Sequence, residues 1–236
     1  DHIYFSNLKK FDGKKLRKLN VSEIGQIAGR AGRYLNDGSF GITGECKEIN
    51  AEEVDLLENH RFEEIQFIFW RNSNLNFNNP NALIKSLDEK PNKGWLRKTH
   101  ECEDEKALKF FLREKKMENT EFNKEKLSLL WECCQIPDFV KKTYGNHYEV
   151  IANVFKYLIS KKGKITDNFM RLQLMKLDKL EGNVDSLSNR IANVRTWSYV
   201  SNKKSWIENQ NYWIEKTKLL EDKLSDRLHE ELTKTF

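Results

Sequence analysis

Residues 22–34 read SEIGQIAGRAGRY, and three residue types recur there at helical spacing. Ile24, Ile27, Ala28 and Ala31 fall at i, i+3, i+4 and i+7, which on a helix makes one apolar face able to dock on a core. Gln26, Arg30 and Arg33 fall at i, i+4 and i+7 on the opposite side. Gly25, Gly29 and Gly32 make a third stripe, although each Gly costs about 1 kcal/mol against Ala in a helix interior. This pattern predicts a helix from Ser22, as N-cap with Glu23 in the first turn, to the turn residues at Tyr34–Gly38. A helix built so would admit a neighbouring backbone or ligand while aiming an amide and two guanidinium groups at it. Paired planar forks of fixed positive charge suit a polyphosphate. The plain alternative is a surface helix with ordinary exposed arginines.

Outward from this stretch, residues 2–8 and 15–19 are short strand-like runs flanking a turn at Asp12-Gly13, and Ser39–Thr43 is a further strand ending at Gly44. Strand, hairpin, helix and strand over residues 1–44 read as the tail of an α/β domain. The pattern beyond Gly44 is mainly helical. Asn50 with Glu53 three residues on marks a capping-box start for a helix through Glu58. Residues 61–70, RFEEIQFIFW, fit a strand or a short helix equally. An Asn-rich connector with Pro80 precedes a short helix at Ala82–Leu87, and Glu89–Gly94 with Pro91 is a second break. Helices are expected at Asp104–Met117, Lys124–Gln135, Asn146–Ser160, Asp167–Leu180, Val184–Val200 and Tyr212–Thr235. The last aligns Trp213, Leu220, Leu224, Leu228 and Leu232 on one side, a face for packing within a bundle. We thus expect three parts: 1–44, the α/β tail; 45–90, a connecting segment; and 91–236, a helical C-terminal domain.

Composition bounds the function. The 236 residues are 38% hydrophobic and 33% charged, enough for one large domain or two small ones. The net charge of +5 is compatible with nucleic-acid binding without demonstrating it. No apolar run is long enough to span a membrane, and the start, DHIYF, lacks a Met, a basic n-region and an apolar h-region. We expect a C-terminal piece of something longer. Cys46, Cys102, Cys133 and Cys134 form no C-x-x-C pair and read as reduced thiols. The five His residues are scattered, so no metal site is expected. His60, Cys133 and His147 read as structural.

The string QIAGRAGR, residues 26–33, resembles the last conserved motif of superfamily-two helicases, Q-x-x-G-R-x-G-R of the DExH branch. With DGSFGITG after it, the stretch is similar to the DExH helicases of the mitochondrial RNA degradosome kind and their bacterial relatives. LLWECCQIPDF, RIANVRTWSY and LEDKLSDRLHEEL resemble the helical C-terminal region of those relatives. The resemblance implies that residues 1–44 are the C-terminal part of the second of two RecA-like domains, facing ATP bound on the first. Gln26 would place the attacking water, and Gln26, Gly29, Arg30 and Arg33 would line the nucleotide. Arg30 and Arg33 would reach the terminal phosphate, with Arg33 as arginine finger, a role worth roughly a thousandfold or more in rate. The implied activity is ATP-driven unwinding of RNA, RNA–DNA or DNA duplexes in a bacterial cytoplasm, with the mitochondrial matrix as alternative. The implied partners are RNA, the RecA-like domain on the N-terminal side and an exoribonuclease. One departure stands out. The chain has no G-x-x-x-x-G-K-[ST] loop and no D-E-x-H motif, so ATP and Mg²⁺ would be held mainly by the other half, and this piece alone would be inactive.

A reading from a different class is a non-catalytic helical module that binds RNA or a partner and keeps a relic nucleotide motif. Trp70 with Arg71, Trp95 with Arg97, and Arg195 with Trp197 are stacking candidates for single strands, against the plainer role of core anchors. The basic run Lys9, Lys10, Lys14, Lys15, Arg17 and Lys18 could meet a phosphate backbone or be a solvated face.

Overall fold

The computed structural model describes residues 1–12, 15–32, 36–113, 121–141 and 144–235. The chain divides into two units, Asp1–Ile68 and Phe69–Phe236, so the division falls inside the stretch 45–90.

In the first unit, β1 (His2–Phe5) pairs in parallel with β4 (Ser39–Ile42), His2 opposite Ser39 and Phe5 opposite Ile42. Parallel neighbours require a crossover, and α1 (Val21–Ala28) lies within it. The hairpin is tighter than the sequence reading had it. Its strands are β2 (Lys9–Phe11) and β3 (Leu16–Lys18), paired Lys9 to Lys18, while β1 belongs to the parallel pair. Asp12 closes the hairpin: its N–H donates to Lys15 O at 3.1 Å, and its Oδ1 accepts from Lys15 N at 2.9 Å. α2 (Ala51–Glu58) starts with the expected Asn50/Glu53 capping box. Phe5, Leu8, Leu19, Ile24 and Leu57 form the core, with Ile24 fully buried. Removing such a side chain from water contributes roughly 2 kcal/mol.

Residues 61–67 of the first unit have no regular structure, and β5 (Ile68–Trp70), which leads into the second unit, pairs with β6 (Leu96–Lys98). The helices are α3 (Pro80–Leu87), α4 (Glu103–Arg113), α5 (Lys124–Cys134), α6 (Tyr144–Leu158), α7 (Asp167–Leu177), α8 (Val184–Asn202) and α9 (Gln210–Thr235). Pro80 opens α3 at its first position behind the Asn79 cap, where a missing N–H costs nothing. Asn79, Asn123, Thr166 and Asn183 each accept the N–H of the third helical residue, so the many Asn residues act as helix starts. α8 and α9 form the most extensive pair. Along α9, Trp213, Leu220 and Leu224 are buried and Leu228 is half-buried, while Leu232 at its far end is 36% exposed. The layout is thus an α/β-containing first unit with small sheets and a mainly helical second unit, compatible with the expected fold class.

One polar cluster ties β5 to α4. Arg71 makes a two-pronged bond to Asp104, both distances 2.9 Å, and its guanidinium stacks 5.1 Å over the Trp131 ring. Glu105, 1% exposed, sits 3.3 Å from Arg71 Nε without hydrogen-bond geometry at that oxygen. Burial pushes the Glu105 carboxyl above its usual range even though Arg71 opposes the shift. All six Trp residues lie in this unit, so Trp fluorescence reports its unfolding. Arg71→Ala should cost on the order of 2 kcal/mol by urea unfolding, since it strands two carboxylates. Glu105→Gln should raise the midpoint at neutral pH and lose that gain in acid. A group with a raised folded pKa stabilises only below its unfolded value, where the native carboxyl is protonated too.

Candidate functional site

The motif is carried by α1 and the loop after it. The N-cap is Asn20, not Ser22. Asn20 Oδ1 accepts from Glu23 N at 2.9 Å, and Glu23 Oε2 accepts from Asn20 N at 3.0 Å, a complete capping box. Ser22 lies in the first turn and donates its hydroxyl to Asn20 Oδ1. Asn20-x-x-Glu23 repeats the spacing of Asn50-x-x-Glu53, a signal present in the sequence.

Glu23 also fixes the hairpin. It accepts two bonds from Arg17, at 2.7 and 2.8 Å, and meets Lys10 Nζ at 2.5 Å. The Arg17 bonds foremost, helped by Lys10 and the Asn20 N–H, hold its carboxyl far below the usual carboxylate range. Lys18 pairs with Glu53 at 2.7 Å. Lys10, Arg17 and Lys18 therefore serve internal ion pairs, and Lys14 lies outside the described residues. Lys9 and Lys15 have no carboxylate partner among the described residues.

The helix stops earlier than its periodicity predicts. α1 ends at Ala28 with Gly29 as C-cap, whose N–H donates to Gly25 O at 2.8 Å. The next two N–H groups reach back only three residues, Arg30 to Ile27 O at 3.1 Å and Ala31 to Ala28 O at 2.9 Å. Gly29 and Gly32 have too little helix propensity to carry the pattern on. Gln26 therefore stands on the last turn of α1 and Arg30 just beyond its cap, rather than on one continuous face. Ile24 and Ala31 are buried and Ile27 and Ala28 half-buried, so the apolar positions face inward as read.

The glycines have distinct reasons. A Cβ on Gly38 would lie 2.5 Å from Gly32 N and overlap the Ala31 carbonyl carbon, so the chain entering β4 packs backbone against backbone on the motif loop. A Cβ on Gly25 would lie 2.7 Å from the far end of the Phe62 ring, which is 38% exposed and free to give way.

Gln26, Gly29 and Arg30 are all exposed, and the Gln26 and Arg30 side chains have no hydrogen-bond or ion-pair partner among the described residues. Arg30 also complements the negative end of the helix dipole. Arg33 lies outside the described residues. The described residues include no group of three or more His, Cys, Asp or Glu able to hold a metal ion, and no helix long and apolar enough to cross a membrane. All four cysteines are free thiols, and burial pushes those of Cys133 and Cys134 up. Burial likewise lowers His147. Of the stacking candidates, Arg71 is taken up by Asp104 and Trp131. Trp197 is buried edge-on to Phe169, and Arg195 donates to Glu221 at 2.7 Å. Trp95 is 51% exposed, with Lys93 5.4 Å over its ring.

The chain is 53% identical over 55 residues to the rice protein "ATP-dependent RNA helicase SUV3, mitochondrial". Over 23% of its length it is a relative of DExH-box RNA helicases. It is 51% identical over 55 residues to the Arabidopsis thaliana "DExH-box ATP-dependent RNA helicase DExH16, mitochondrial". The Arabidopsis "DExH-box ATP-dependent RNA helicase DExH11" is 41% identical over 54 residues. The chain spans less than a tenth of these relatives: 9%, 9% and 4% of their lengths. No family model matches the chain, and no solved structure gives a significant match.

Three outcomes follow from this geometry. Gly38→Ala should lower the protection of α1 and β4 amides against hydrogen exchange by roughly 1–3 kcal/mol. Gly25→Ala should stay within about 1 kcal/mol of wild type, because helix propensity offsets the shift of Phe62. In a urea titration followed by the Ile24 methyl resonance, Glu23→Gln should be less stable at neutral pH and show a shallower loss in acid. A carboxylate with a depressed folded pKa stabilises above its unfolded value, about 4.3, and that stability goes as pH falls towards the folded one.

Proposed function

We propose that this chain is part of an ATP-dependent RNA helicase of the DExH kind, and that α1 with its following loop is half of the ATP site. The observation that carries the reading is the exposed Gln26 and Arg30 pair, left without partners among the described residues at the end of a helix whose other polar residues are engaged. The similarity to three RNA helicases supports it.

The donors fit a nucleotide phosphate: a fixed cation, a neutral amide and a Gly-capped helix end that keeps bulk away. ATP, when bound, supplies the phosphoryl group whose transfer to water drives unwinding. Arg30 and Arg33 hold positive charge at the terminal phosphate, Arg33 as the finger, and the Gln26 amide orients the attacking water. A domain carrying the phosphate-binding loop and the D-E-x-H carboxylates completes the site and holds Mg²⁺. In this reading residues 1–44 are the tail of the second RecA-like domain, 45–90 connect, and 91–236 form the helical domain that closes over the strand. RNA is the substrate, with RNA–DNA or DNA duplexes as wider ones, and an exoribonuclease is a partner that would consume the unwound strand. Two of the relatives are mitochondrial by name, which supports a mitochondrial matrix; the bacterial cytoplasm rests on the resemblance of the helical segments.

The test is RNA-stimulated ATP hydrolysis by the full-length parent, wild type against Arg33→Ala and Arg30→Ala, with nucleotide binding measured in each. Turnover should fall by about two or more orders of magnitude in Arg33→Ala with ATP still bound. Unchanged turnover, or none in the wild type while RNA is retained, would replace the helicase reading with that of a binding module.

A further inference from the structure

The second unit holds a groove of 1320 Å³ along the surface between α7 and α9. The two helices are tied at both ends. Near its start, Asp167 accepts from Trp213 Nε1 at 2.7 Å and from Asn209; at the far end, Asp178 pairs with Lys223 at 3.2 Å. Because Asp167 meets position 213 and Asp178 meets position 223, the helices run in the same direction. Between the ties they part. The eleven residues of α7 rise about 16 Å, three turns of helix.

The floor and walls are apolar. Leu174 and Leu220 are buried beneath, whereas Met175 on α7 and Leu219 on α9 are 63% and 64% exposed. A soluble chain gains nothing by holding such side chains on opposite walls of one cleft. The charges are not balanced either. Both carboxylates that line the groove are consumed by the end ties. Arg171 bonds only the neutral Asn168, and Lys216 has no partner among the described residues. The free charge facing the groove is therefore positive.

We infer that this groove is a docking site for an amphipathic helix of a partner protein, about three turns long, with an apolar face and acidic flanks. The apolar face would settle between Met175 and Leu219, and the acidic residues would meet Arg171 and Lys216. Single-stranded RNA fits less well. Leucine and methionine walls offer bases no stacking platform beyond Tyr212. This site lies in the second unit and does not depend on the ATP site proposed above.

The test uses the full chain and a fluorescent helical peptide of three turns, with Leu at i, i+4 and i+7 and Glu at the flanking positions. A second peptide carries Lys in place of Glu. Anisotropy should show saturable binding of the acidic peptide, weakened about tenfold or more by Met175→Glu and by Leu219→Glu. These exposed positions leave the core intact. In the double variant Arg171→Glu/Lys216→Glu the preference should reverse, so that the Lys peptide binds and the Glu peptide does not. Three results would overturn the proposal. One is no binding of the acidic peptide, or binding indifferent to these variants. Another is its displacement by a single-stranded oligoribonucleotide whose own binding Leu219→Glu abolishes, which would make the groove an RNA surface. The third is self-association in sedimentation that Leu219→Glu abolishes, which would make it an interface between copies of the chain.

Discussion

The Glu23 carboxylate takes bonds from Arg17 twice, from Lys10, and from the Asn20 N–H, so one side chain joins the hairpin to the start of α1. A short helix of eight residues has little stability of its own in water. Its position has to be imposed by what it packs on and by what holds its ends. Ile24 supplies the packing, and the Glu23 knot supplies the end. With the N-terminal end fixed and Ile24 in the core, the place where α1 stops is fixed too. Gln26 and Arg30 stand where they do because of those two residues.

Ion pairs take up three cations of the strongly basic hairpin, Lys10, Arg17 and Lys18. Lys10, Arg17 and Lys18 are near one another in sequence, and a solvated row of like charges would repel. Two glutamates from the first turns of two helices, Glu23 and Glu53, spread that charge into local pairs. Acidic residues in a first turn also complement the helix dipole, so each contributes twice. What remains open in the first unit is narrower than its composition implies.

Much of the chain was legible because its signals were local. Asn50 with Glu53 and the amphipathic stripe of α9 depend on spacing along a single helix, and the structure has the first where the spacing put it and the second as far as Leu228. The errors came where a distant segment decided. Periodicity carried the motif helix to Tyr34, but the approach of Gly38 to Ala31 and Gly32 belongs to the chain entering β4, and no window over 22–34 contains it. The parallel pairing of β1 with β4 is equally non-local, so β1 looked like a hairpin strand. Choosing Ser22 over Asn20 as cap was a local error, since Asn20 and Glu23 already had the capping-box spacing. The partners of Arg71 lie more than thirty residues away, at Asp104 and beyond, which is why Trp70 beside it was a misleading neighbour.

The glycines of the motif then take on separate meanings. A stripe of three at helical spacing reads as one feature, a smooth face for a ligand. In the structure Gly25 lies under a movable aromatic ring, Gly29 ends the helix, and Gly32 receives the backbone at Gly38. The place where a side chain has no room is Gly38 itself, outside the stripe, and it serves the fold. What the cost in helix propensity achieves is termination, because a helix continued through residue 33 would keep Arg30 on a regular face with its N–H groups bonded four residues back. Ending it at Ala28 leaves Arg30 in a tight turn, held by its backbone bond to Ile27 while its side chain is exposed to solvent. A cation on such a turn is fixed at its base and free at its tip, the arrangement needed to meet an anion brought by another surface.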